Sequence, residues 1–429
     1  QVTSGTTSGL GSSAIYSSSF GITYTQPLFR NFRTDNVRRN IKIARKRLEQ
    51  TDADFRRQTI ETIAQVQRSY WDLVFALRDQ QNRLANVDLS RENLRQVEAR
   101  IEAGAAAPLE RAEVATELAN RESDLLLATQ QVSTIENTLK QLLLREPTSS
   151  EWTQSYVPTD RPVFSTDPLN LEDALKDAMD NRFELRRLKL AKDINVIDID
   201  YFRNQTKPQI DLNTTFSLDG LARGGAVTAT QFIPRFQGND EILRQRLNTL
   251  LLPADQIPNP NIAILGTPGF LAGGFNRSLS NIFRTDAPNF QVGVTISFPW
   301  RNTTAKANLA AARVQEEQIA TQMRAQEQVV IVEVRNAVQA VETARQRVLT
   351  ARRARENAEI QLAGERKLYE VGRSTTFLLF QRENSLTNAR NAEIRAETDY
   401  NKALADLQRA TSTTFRINNI EVESPTDNN

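Results

Sequence analysis

One pattern is written twice in this chain: a short alternating strand closed by proline, a helical run of more than seventy residues, a glycine, and a shorter helix running back. Residues 21–27 (Gly-Ile-Thr-Tyr-Thr-Gln-Pro) are echoed by residues 293–299 (Gly-Val-Thr-Ile-Ser-Phe-Pro). Gly104 follows Pro27 by 77 residues, and Gly372 follows Pro299 by 73. At 1.5 Å per helical residue each arm predicts a rod of roughly 110 Å, far longer than a compact soluble domain uses. A duplicated rod with a strand at one end is a span between two places.

Breaker usage supports rods over separate globules. Residues 28–145 hold only Gly104 and Pro108 as breakers, residues 300–414 only Gly364 and Gly372, while eight of the sixteen glycines fall between Gly220 and Gly274. Hydrophobic residues are 39% and charged residues 25%, too polar for a helical membrane protein and too apolar for a disordered one. No stretch approaches the roughly eighteen apolar residues of a membrane-crossing helix. The formal net charge is only +2, so the pI of 8.8 reflects the lack of histidine rather than a nucleic-acid surface. Without cysteine or histidine the chain has no disulfide, thiolate or imidazole chemistry, and carboxylates such as Glu110, Asp211 and Glu383 stand at no catalytic spacing. We read it as a non-enzyme without cofactor, metal site or nucleic-acid partner.

Three segments alternate with period two, the signature of a strand. Phe290, Val292, Val294, Ile296 and Phe298 oppose Gln291, Gly293, Thr295 and Ser297. Ile210, Leu212, Thr214, Phe216 and Leu218 oppose Gln209, Asp211, Asn213, Thr215 and Ser217. Tyr16, Phe20, Ile22 and Tyr24 oppose Ser17, Ser19, Gly21, Thr23 and Thr25. A half-buried sheet on a core gives the same pattern. Here the helices are too long to wrap such a sheet, and the polar faces are small and water-tolerant. The lengths and alternation suit a bilayer-spanning barrel with Phe20, Ile22, Tyr24, Ile210, Leu212, Phe216, Val292, Val294 and Ile296 facing lipid. A few strands cannot close a barrel, so several identical chains must pool theirs.

The organisation expected is a first repeat over 1–145, a connection over 146–170 with Pro147, Pro158, Pro162 and Pro168, a second repeat over 171–414, and a tail over 415–429. The second repeat opens with a helix over 171–202 before its strand; the first has no counterpart, so a helix and a strand are expected ahead of Gln1. Return helices are expected over 108–144 and 375–413, and a Gly/Pro/Asn-rich extracellular insert over 219–288, with a helix at 239–252. Seams at Leu118, Leu125, Val132 and Leu139, and at Ile331, Val334, Val338, Val341 and Val348, have coiled-coil rhythm. Ala389, Ala396, Ala403 and Ala410 form a third series, which helix propensity alone also explains. The rods reverse at Gly104 followed by Pro108, and at Gly372, where a helix closes in the left-handed region and proline suits the next first turn.

With the strand ends already described, Tyr369-x-x-Gly372-Arg373-Ser374, Leu379, Asn388-Ala389-Arg390, Asp399-Tyr400, the 403–407 segment, Leu171-x-x-Ala174-Leu175 and Lys207-Pro208-Gln209 complete a set of landmarks. By these residues the chain resembles the TolC-like outer membrane efflux proteins of Gram-negative bacteria over essentially its whole length. The resemblance implies a mainly α fold with a β-barrel part: a homotrimer with a twelve-stranded transmembrane barrel in outer-membrane lipid and an antiparallel coiled-coil tunnel in the periplasm. It implies a passive exit duct of a tripartite efflux or type I secretion system, gripped by a periplasmic adaptor and fed by an inner-membrane transporter. Gly104, Pro108, Glu110, Gly372, Arg373 and Ser374 match tip segments that meet the adaptor. The family's pore-narrowing aspartates fall at Leu378 and Gln381, so the acidic ring is replaced and Leu378 and Gln381 become the candidate constriction. The competing reading is a coiled-coil scaffold without transport.

Overall fold

The computed structural model of the chain describes residues 14–104, 107–225, 227–285 and 288–423. The start of the expected first repeat (1–13), the end of the expected tail (424–429), two residues of the first turn and three of the insert lie outside the described residues. In chain order the elements are β1 (Ile15–Pro27), α1 (Asn36–Glu102), α2 (Pro108–Leu143), α3 (Leu171–Asn181), α4 (Phe183–Gln205), β2 (Gln209–Arg223), β3 (Gln231–Pro234), α5 (Asn239–Asn248), β4 (Asn261–Ile264), α6 (Phe275–Ile282), β5 (Pro288–Ser297), α7 (Thr303–Glu370), α8 (Thr376–Ala410) and α9 (Thr414–Ile417). They form two compact units, one from the described residues up to Arg38 with Asp200–Leu309, the other from Arg39–Ile199 with the described residues from Ala310 onward.

The first unit holds a three-stranded antiparallel sheet of order β1-β2-β5. Its register is unbroken from Ile15 opposite Arg223 to Pro27 opposite Asp211, and from Gln209 opposite Ser297 to Leu218 opposite Pro288. With no bulge to shift parity, even-numbered residues share one face along the whole sheet. β2 continues to Arg223, so the expected insert at 219–288 begins as strand; it also contains the β3–β4 hairpin, α5 and α6. α5 stops at Asn248, short of the predicted 252, with Thr249 as its C-cap. Strand-to-helix links turn through asparagines with positive φ, Asn31 at 66° and Asn302 at 40°. Asn31 accepts from Gln205 at 2.6 Å, and Asn302 donates to the Gln205 carbonyl at 3.2 Å.

Those irregular links shorten the rods: α1 has 67 residues and α7 has 68, so each is about 100 Å long. In the second unit α1 lies antiparallel to α8, joined by Lys402–Asp72 at 2.7 Å, Arg68–Asp406 at 3.1 Å and Asn82–Asn391 at 2.8 Å. α2 folds back on α1 through Arg83–Asp124 at 3.0 Å and Arg91–Glu122 at 2.9 Å. Val341 and Val348 of α7 pack with Ala396, Tyr400 and Leu407 of α8, while Val330 and Val334 pack with Ala178, Leu185 and Ala410. Ala396 and Ala410 are therefore packed inside the helix seams.

The single helix expected over 171–202 is two helices. The chain leaves helical geometry at Arg182 (φ −65°, ψ 123°), whose buried guanidinium donates to the Ala410 carbonyl at 3.0 Å and to Glu333 at 2.7 Å. No glycine or proline marks this break; the tertiary hydrogen bonds sustain it. Around the connection at 146–170, the Asn401 amide donates to the Val163 carbonyl at 3.1 Å and accepts from its N–H at 3.3 Å, as a neighbouring strand would. Phe164 sits 5.4 Å from the Tyr400 ring with the Arg352 guanidinium 4.7 Å above it.

Candidate functional site

The sheet presents two chemically opposed faces. Across the even face run Ile22–Phe216–Phe290, Tyr24–Thr214–Val292, Leu212–Val294 and Ile210–Ile296, directly opposed in register. Phe20, Ile22, Tyr24, Phe216, Val292, Val294 and Ile296 are exposed in the chain; Ile210 and Leu212, on the central strand, are half-buried by their neighbours. The odd face is a hydrogen-bonded polar ladder: Thr25 donates to Asn213 at 2.9 Å, Asn213 donates to Thr295 at 2.8 Å, and the Thr23 and Thr215 hydroxyls lie 3.4 Å apart. An exposed apolar face backed by a satisfied polar face suits lipid on one side and water on the other.

The second candidate region is where the helices reverse. Gly104 has φ +74° and Gly372 φ +72°, the left-handed geometry that closes a helix. After α7, the Arg373 N–H donates to the Leu368 carbonyl at 2.8 Å and the Gly372 N–H to the Tyr369 carbonyl at 3.0 Å, the paired bonds of a Schellman closure. Pro108 opens α2, where its missing N–H is no loss, and Glu110 sits in the favourable first turn, 4.0 Å from Arg100. Arg100 also donates to the Tyr369 hydroxyl at 2.7 Å, joining the two reversals. The Ser374 hydroxyl donates to Glu365, whose carboxylate is 3.8 Å from Arg382. Arg373 is exposed.

Leu378 and Gln381 lie on the exposed side of α8, away from buried Leu379, Phe380, Glu383 and Leu386. Leu378 is 37% exposed, so the chain does not bury it between its own helices. Gln381 lines a groove of about 900 Å³ between α2 and α8 with Thr116, Glu117, Phe377 and Asn384; Leu378 stands outside it.

The sequence reading did not single out Arg121, and took Glu383 only as a carboxylate at no catalytic spacing; the structure brings the two together. Arg121 of α2 donates to Glu383 of α8 at 3.2 Å, to Glu117 at 2.9 Å and to the Asn86 carbonyl of α1 at 3.3 Å, with its guanidinium 5.7 Å from the Phe380 ring. Arg366 of α7 approaches Glu383 at 3.6 Å. The signal was present: Arg121 continues the Leu118, Leu125 rhythm, and Glu383 stands between Leu379 and Leu386. A charge in an apolar seam calls for a buried partner.

Helical hairpins closed by left-handed glycines and a sheet with one exposed apolar face are parts that a membrane transport channel would use. The family model for outer membrane efflux proteins matches residues 2–143 and 263–413, and the chain belongs to that family: it is an export channel of the outer membrane. Among solved structures, a membrane protein from Pseudomonas aeruginosa is 17% identical with a TM-score of 0.61, over 93% of this chain and 83% of that one. VceC, an outer membrane protein of Vibrio cholerae, is 12% identical with a TM-score of 0.62 over 92% and 86%. The open state of the Neisseria gonorrhoeae MtrE outer membrane channel is 15% identical with a TM-score of 0.61 over 93% and 80%. At such identities the likeness is one of fold. No curated protein matches the chain.

Proposed function

We propose that three copies of this chain form a passive exit duct, each giving four strands, of which β1, β2 and β5 are three, to a twelve-stranded transmembrane barrel, and pooling their helices into a periplasmic tunnel. Substrate arrives from an inner-membrane transporter through a periplasmic adaptor, and the duct supplies no energy. The two halves act as repeats, β1-α1-α2 corresponding to β5-α7-α8. The reversals at Gly104, Pro108 and Glu110 and at Gly372, Arg373 and Ser374 are the adaptor's contact, and Leu378 and Gln381 narrow the pore. The insert lies on the extracellular side.

The observation that carries this reading is the unbroken register of β1, β2 and β5, which gathers the apolar residues on one exposed face and leaves the outer edges of β1 and β5 open to further strands. Exposed edges cannot persist in lipid, so closure across copies follows. The test places arginine on either face. Val294→Arg puts a charge against hydrocarbon, at about 2–4 kcal/mol per site near the midplane, and should abolish assembled trimer in outer-membrane fractions. Thr295→Arg, one residue along and pointing inward, should assemble normally. Equal assembly of both variants would remove the lipid-facing assignment.

A further inference from the structure

α6 packs on the end of the sheet's even face. Ser18 and Gly220 are directly opposite in register, and their parity places them on the same face as Phe20, Ile22 and Phe216. The Ser278 hydroxyl lies 2.7 Å from the Ser18 hydroxyl and donates to the Gly220 carbonyl at 2.8 Å. A Cβ on Gly220 would fall 2.1 Å from the Ser278 carbonyl oxygen and 2.9 Å from Ile282, so only glycine admits the helix this closely. The Asn281 amide donates to the Leu221 and Phe270 carbonyls, each at 2.8 Å, and completes the docking.

The exposed remainder of α6 is two-sided. At about 100° per residue, Phe275, Leu279 and Phe283 form one arc beside the docked side chains, and Asn276 and Ser280 lie beyond it. Phe275, Leu279 and Phe283 are 44%, 45% and 80% exposed. Residues 256–285 hold only Arg277 and Arg284 as charges, with Asp255 and Asp286 immediately flanking them, so the segment is close to neutral. Arg284 lies 4.9 Å over the Phe270 ring, and Arg277 donates to the Phe270 carbonyl at 3.2 Å, which gathers both cations beside the helix. An amphipathic helix continuous with an apolar sheet face, with Phe275, Leu279 and Phe283 exposed along one arc, has the form of an interfacial element.

We infer that α6 is a membrane-surface element, lying at headgroup depth in the outer leaflet with Phe275, Leu279 and Phe283 against acyl chains and the Asn276 and Ser280 side turned to water. The inference rests on the lipid-facing reading of the even face and assigns it a rim. Because the chain lacks cysteine, single variants Ile22→Cys, Leu279→Cys and Ser280→Cys each take one nitroxide label. The labelled full-length channel is reconstituted into phosphatidylcholine–phosphatidylglycerol vesicles, and collisions with oxygen are compared with collisions with a water-soluble nickel chelate. The expected result is a severalfold higher oxygen-to-nickel ratio at 22 and 279 than at 280. If 22 favours oxygen while 279 follows 280, α6 lies in water and the inference fails with the barrel reading intact. Spin–spin broadening at 279 would mean that a second copy covers the helix, and also overturns it. A label at 22 that favours nickel overturns both readings.

Discussion

Arg121 and Glu383 meet at 3.2 Å with both side chains almost wholly buried, and the pair joins α2 to α8. Glu383→Ala leaves the buried guanidinium short of its partner and should destabilise by about 3–5 kcal/mol. The double variant Arg121→Met/Glu383→Leu removes both charges and should return to within about 1 kcal/mol of the parent. Urea unfolding in detergent checks this; a double variant as unstable as the single one would show that packing shape, not charge pairing, is at stake.

Two glycines eight residues apart should respond with opposite signs. Gly372 has φ +72°, and a Cβ there would meet nothing within 4 Å, so Gly372→Ala carries only backbone strain, about 1–2 kcal/mol destabilising. Gly364 is helical and equally open, so Gly364→Ala should stabilise by about 0.5–1 kcal/mol. Thermal melts of the two variants against the parent decide it, and a shared sign would refute the backbone argument.

The connection at 146–170 has an acid-sensitive clasp. Arg345 donates to the Thr166 carbonyl at 2.6 Å and pairs with Glu342 at 2.6 Å. Hydrogen bonding from the Arg345 guanidinium, helped by the Gln346 amide, holds the Glu342 carboxyl at about 2, below its ordinary 4.5. A depressed acid contributes its stability in full above the unfolded value and loses it as pH falls through the folded one. The stability gap between the parent and Glu342→Gln should therefore be constant above pH 4.5 and close as pH approaches about 2. A gap that widens on acidification would contradict the sign.

Leu378 and Gln381 test the proposed constriction. Leu378→Ala and Gln381→Ala each shorten a side chain on the exposed side of α8, and single-channel conductance in planar bilayers should rise for both. Unchanged conductance in both variants would retire these positions as the narrow point.

Much of this protein was legible one residue at a time. The alternation in Phe20, Ile22 and Tyr24 and in Val292, Val294 and Ile296 assigns strand faces, because a pleated backbone alternates its side chains without reference to anything distant. Gly104, Pro108 and Gly372 mark the reversals for an equally local reason, since left-handed closure and a missing N–H are properties of single residues. Other features arise only when distant segments meet. Arg121 and Glu383 are 262 residues apart, the break at Arg182 is held by Glu333 and Ala410, and α6 docks where Gly220 lacks a side chain. Periodicity tells which side of an element is apolar; only packing decides which distant group satisfies a buried charge, a freed helix end or a bare stretch of backbone.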